Sequence, residues 1–140
     1  MTMDDKKSPG LSVRKLSAGA WAALLIAVIF FSLHPSFGPP SDYEIDKVLH
    51  LAAYFLLAVL PFAGFDRPGL AVGLSVLMLP LGVGLEMAQD TIPGRFADPF
   101  DMAANGAGVL LGLGAGRPLR RFAARFGGRG FSRTGARSRS

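Results

Sequence analysis

The sequence predicts an all-α protein: a four-helix transmembrane bundle with both termini cytoplasmic and a short amphipathic C-terminal helix. Two observations carry this. Four apolar runs lie at or near the roughly 17–25 residues that a bilayer crossing requires, and turn-forming clusters (HPSFGPPSD, FDRPG, DTIPGRFADP) separate them. The basic residues gather at the two ends of this apolar body. Four Lys and Arg precede Leu16 and eight follow Gly116, in a chain that is half apolar with a mean hydropathy of +0.37. A pI near 10.2 would suit nucleic acid, but this distribution is a membrane pattern.

The first run is about Leu16–Leu33, preceded by a basic segment, residues 1–15. HPSFGPP after it offers no small-x-small cleavage site, so a retained helix is expected rather than a signal peptide. The second run is about Asp46–Phe65 and the third about Leu70–Gln89, with Pro80 midway, where a missing backbone donor should bend the helix. The fourth, about Asp101–Gly116, is the shortest and richest in glycine. Together, residues 16–116 form the membrane domain. The segment RPLRRFAARF places Leu119, Phe122, Ala123 and Phe126 on one helical face, which suits a helix lying on the cytoplasmic lipid surface. Beyond it, a Gly-, Ser- and Arg-rich tail is expected to be disordered and drawn to anionic lipid. No nucleic-acid module accompanies that tail, and no nucleic-acid partner is expected.

Orientation follows from the basic residues. With four crossings, both termini and the FDRPG turn share one side, which holds thirteen of the fifteen Lys and Arg. The other side holds Lys47 and Arg95. The positive-inside rule then puts the termini in the cytoplasm of a multi-pass protein of the bacterial inner membrane.

Polar groups collect at the outer ends of three runs. Asp46, Lys47, His50 and Tyr54 fall within an arc of about 100° on the second. The third carries Glu86 and Gln89, three apart. Asp98, Asp101 and Asn105 repeat the 3,4 spacing at the start of the fourth, and Arg95 lies in the loop between. Glu86 sits in the apolar setting GVGLEMAQD, where an ionisable group normally faces the bundle interior or a water-filled cavity. Its expected partners are Lys47, His50 and Arg95. Each residue alone has a structural reading: Asp46, Asp98 or Asp101 as a helix cap, Gln89 and Asn105 as interhelical hydrogen bonds. Capping does not call for His, Tyr and Glu on interior faces as well, so the nine residues Asp46, Lys47, His50, Tyr54, Glu86, Gln89, Arg95, Asp101 and Asn105 are the candidate binding cluster.

Ala104, Gly108, Gly112 and Gly116 form a small-xxx-small stripe. Packing against a helix of the same chain is favoured; homo-oligomerisation through Gly108, Gly112 and Gly116 is the alternative. With no cysteine there is no disulfide or thiolate chemistry. No cofactor and no metal are expected, since no local ligand pair such as H-x-x-x-H occurs; a metal on His50, Glu86 and Asp101 is the less favoured variant.

The motifs D-K-x-x-H (Asp46, Lys47, His50) with Tyr54, E-x-x-Q (Glu86, Gln89), P-G-R (Pro93 to Arg95) and D-x-x-x-N-G (Asp101, Asn105, Gly106) occur in that order before a glycine-rich helix. In order and spacing they resemble the VanZ-like family of small bacterial membrane proteins, over about Ile45 to Gly116. The chain departs from the family in its shortness and in a first helix without polar motifs. The family takes its name from a protein associated with low-level resistance to the glycopeptide teicoplanin. The resemblance implies the architecture rather than an activity; the polar cluster itself points to an envelope protein whose outer-leaflet pocket binds a lipid headgroup, a cell-wall precursor or a glycopeptide, with Lys47 and Arg95 engaging its phosphate or carboxylate. A membrane-embedded hydrolase or transferase acting on a lipid-linked substrate, with His50 as general base, is the alternative. It lacks an obvious nucleophile: Ser75 lies deep in the third run and Ser41 in a loop.

Overall fold

In the computed structural model, which describes residues 9–35 and 43–127, the described chain is all helical. It has four helices: α1 (Pro9–Leu33), α2 (Tyr43–Gly64), α3 (Pro68–Gln89) and α4 (Pro99–Gly127). The first eight residues, residues 36–42 and the Gly/Ser/Arg-rich tail from residue 128 lie outside the described residues. So do the side chains from residue 122 onward, including Phe122, Ala123 and Phe126 of the expected amphipathic face.

Three spans, Val13–Leu33, Ile45–Gly64 and Pro68–Gln89, are long and apolar enough to cross a membrane. The distribution of polarity is that of a membrane protein. Leu16, Ile26, Leu77, Met87, Leu110 and Leu111 are exposed, while Ser75, Glu86, Gln89, Asp101 and Asn105 are buried. Water would favour the reverse, and lipid favours this arrangement.

Contacts at the two ends fix the topology. At one end Arg14 of α1 pairs with Asp66 in the α2–α3 turn. Arg120 of α4 donates to the carbonyls of Phe65 and Asp66 there. At the other end Gln89 and Arg95 donate to carbonyls at the end of α1. The helices therefore run up, down, up and down. Arg67, Arg117 and Arg121 share the Arg14 end, and Lys47 and Arg95 mark the opposite one.

One helix replaces the two expected after Asp98. α4 runs unbroken through Pro118 to Gly127, about 43 Å at 1.5 Å per residue, longer than the roughly 30 Å hydrocarbon core. The extension carries Arg120, whose guanidinium donates to the Phe65 and Asp66 carbonyls of the α2–α3 turn.

α2 and α4 are the most closely packed pair. A Cβ on Gly108 would lie 2.5 Å from the Leu51 carbonyl oxygen and 2.9 Å from the Phe55 nitrogen; one on Gly112 would lie 2.6 Å from Ala58 Cβ. The small stripe thus faces α2 within the same chain, and only glycine permits that approach. Around the contact lies the core of Tyr54, Leu57, Ala58, Met78 and Val109, with Trp21, Leu24 and Val28 of α1 packed on it.

Pro61 lies inside α2 and removes the amide that would bond the Leu57 carbonyl. The Trp21 indole Nε1 donates to that carbonyl at 2.9 Å. The carbonyl that Pro61 leaves without a helical donor is thus served by Trp21 of the neighbouring α1. At the next residue of α2, Ser75 Oγ of α3 lies 2.7 Å from the Ala58 carbonyl oxygen and 2.8 Å from that of Ala71 in its own helix.

Candidate functional site

The site is at the end of the bundle where α2 and α4 begin and α3 ends. The α3–α4 loop builds it. Ile92-Pro93-Gly94-Arg95 closes a turn with Arg95 N donating to the Ile92 carbonyl at 3.1 Å. Gly94 at φ 83° supplies the positive φ that a type II turn needs after proline. The Asp98 carboxylate then accepts from Phe100 N at 2.8 Å. With Pro99 as the first helical residue, Asp98 is the N-cap of α4. Of the acids considered as caps, Asp98 has that role, which leaves Asp101 in the first turn without it.

Glu86 is 2 % exposed. Its Oε2 accepts from Asp98 N at 3.3 Å, so it ties the loop to α3. Its Oε1 is 3.9 Å from His50 Nδ1. His50 Nδ1 is also 3.0 Å from Asn105 Oδ1. An amide oxygen only accepts, so Nδ1 carries the proton in this contact. The other ring nitrogen, Nε2, is 3.5 Å from Asp46 Oδ1. Lys47 Nζ is 3.5 Å from Asp98 Oδ2 and 5.8 Å from the centre of the Phe100 ring. Tyr54 is buried one turn below His50. Its hydroxyl and the Asn105 amide both flank Gly82, where an added Cβ would stand 3.2 and 3.3 Å from them.

Asp46, Lys47, His50, Tyr54, Glu86, Asp101 and Asn105 therefore gather at one end of α2, α3 and α4, with Asp98 among them. Gln89 and Arg95 work beside this group. Gln89 Nε2 donates to the Ser32 carbonyl at 3.2 Å. Arg95 Nη1 donates to the Phe31 and His34 carbonyls at 3.0 and 3.2 Å. They satisfy the C-terminal carbonyls of α1 and hold it against the end of the site. The sequence offered no signal for this, because nothing in α1 marks its backbone as the partner. Trp21 and Ser75 were also missed as partners. The signal that could have found Trp21 is Pro61, since a proline inside an apolar helix leaves a carbonyl in need of a donor; no comparable signal marks Ser75.

The cluster is half open. Side chains at its rim keep 30 % (Lys47), 29 % (Asp46) and 22 % (Asp98) of their surface, while His50 keeps 16 %. Asp101 and Asn105 close the floor at 7 % and 4 %. Four carboxylates (Asp46, Glu86, Asp98, Asp101) face one lysine and one histidine. Comparison of the chain with protein-family models, curated proteins and solved structures finds no match.

Proposed function

We propose that this is a four-crossing protein of the bacterial cytoplasmic membrane, with both termini inside. On this reading it is a VanZ-like envelope protein that binds the polar headgroup of a lipid, or of a lipid-linked cell-wall precursor or glycopeptide, in its outer-facing pocket. The observation that carries the reading is the half-open charged cluster inside a bundle with an apolar exterior. A charge facing lipid is costly, up to about 2.5–3.5 kcal/mol per group for a site at a helix centre on insertion scales, and these groups, at the helix ends, turn inward to one another instead. Structural satisfaction of the bundle does not need Asp46, Lys47 and His50 at a partly open rim. A headgroup entering between the starts of α2 and α4 would meet Lys47 first and His50 beneath it. Binding is favoured over hydrolysis because the hydroxyl of Ser75 is engaged by two backbone carbonyls.

Native mass spectrometry of detergent-purified protein, with phospholipids and a polyisoprenyl pyrophosphate offered in turn, tests this. Wild type should retain adducts that Lys47→Ala and His50→Ala lose and that Leu110→Ala, on the exposed face of α4, keeps. An adduct pattern indifferent to the two pocket variants would overturn the reading.

A further inference from the structure

The cluster contains three groups whose ligand atoms converge without enough protons to go round. Asp46, His50 and Asp101 each place one oxygen or ring nitrogen within 4.8 Å of the other two. Asp101 is 7 % exposed, and its Oδ1 is buried with no hydrogen-bond partner. The other acids of the site are accounted for: Glu86 accepts from Asp98 N, and Asp98 accepts from Phe100 N and faces Lys47. A carboxylate oxygen buried alone is costly, and an isolated buried charge more so.

We propose that Asp46, His50 and Asp101 bind a divalent cation. The tautomer of His50 supports this. With its proton on Nδ1 toward Asn105 Oδ1 at 3.0 Å, the ring turns the Nε2 lone pair toward Asp46 Oδ1 at 3.5 Å. A metal-ligating histidine is usually oriented this way, its second nitrogen donating to an outer partner. A protonated Nε2 would serve Asp46 at 3.5 Å and still leave Asp101 Oδ1 alone. A cation serves all three groups. Metal–ligand distances of about 2.0–2.2 Å place ligand atoms roughly 3–3.5 Å apart, so the side chains close inward by rotamer adjustment. Two carboxylates and one imidazole suit Mn²⁺ or Zn²⁺ better than a thiolate-seeking ion. The positions left over open toward Asp46, where water or a phosphate oxygen can enter. This deepens the headgroup reading and rests on the same pocket: the cation gives an acid-rich site the positive charge that a phosphate-bearing headgroup requires.

The test uses the metal alone, without added lipid. Chelator-treated full-length protein in detergent is dialysed against Mn²⁺ or Zn²⁺, and bound metal is counted by elemental analysis. About one ion per chain is expected. Asp46→Asn, at the open rim, and Asp101→Asn should each weaken binding tenfold or more. Asn105→Ala, which removes only the outer partner of His50, should weaken it about 10- to 100-fold. Asp90→Asn, an exposed acid at the end of α3, should leave it unchanged. Bound metal well below one per chain, or equal in wild type and Asp46→Asn, overturns the proposal. If metal fails while lipid adducts still depend on Lys47 and His50, the metal site alone is lost and the headgroup reading stands.

Discussion

The two carboxylate oxygens of Glu86 have separate duties, one toward Asp98 N and one toward His50. Glu86→Gln keeps an oxygen for the loop and removes the charge near His50. It should fold with near wild-type thermal stability in detergent and lose headgroup retention. Glu86→Leu leaves the Asp98 amide without its acceptor and should cost about 1–3 kcal/mol, the usual penalty for orphaning a buried polar group. An equal or higher melting temperature for Glu86→Leu would mark Glu86 as dispensable to the fold. That Glu86 faces the interior was legible in the sequence, because lipid leaves a buried acid few other places to go. The identity of its partners was only half legible. His50 was among those expected, but the Asp98 amide was not, since a backbone group carries no mark in the sequence. The same limit hid the true duty of Arg95: its charge was visible, whereas the α1 carbonyls it serves were not.

Between elements, glycine and proline carry the information. Gly108→Ala and Gly112→Ala push a methyl into the backbone of α2 and should destabilise the bundle by about 1–3 kcal/mol. Gly114→Ala meets nothing within 4 Å and should be neutral or slightly stabilising through helix propensity. Thermal melts in one detergent compare the three directly; equal effects would remove the α2–α4 approach as their cause. Pro61 permits a sharper test. Trp21→Phe removes the donor to the Leu57 carbonyl and should cost roughly 1 kcal/mol or somewhat more. In a Pro61→Ala background the helix regains its own donor, so the same change should cost measurably less, read as the coupling of a double-mutant cycle. The four runs, their turns and the tight glycine face were all legible as periodicity and spacing. The continuity of α4 was not, because the change from the glycine-rich run ending at Gly116 to the basic segment from Arg117 reads as a change of element, whereas the helix runs through it.

For the whole molecule, the expected topology has a direct measurement. Reporter fusions after Ser41 and after Gly130 should report opposite sides of the membrane, the latter cytoplasmic, as the basic residues at the Arg14 end require. The same side for both would refute four crossings. Deletion of Gly127–Ser140 should leave insertion and the melting temperature unchanged, since a Gly-, Ser- and Arg-rich sequence offers too few apolar residues to offset its ordering entropy.

Besides the packing of Trp21, Leu24 and Val28 on the core, α1 is fastened by polar contacts at three levels: Arg14 to Asp66, Trp21 to the Leu57 carbonyl, and the Phe31, Ser32 and His34 carbonyls to Gln89 and Arg95. Every one of those partners lies later in the chain. During synthesis α1 is made before any group that fastens it, and its last anchor, Arg95, follows its own end by some sixty residues. The bundle cannot mature strictly in the order it is translated. α1 waits in the lipid, while Asn105, which orients His50, arrives only with α4.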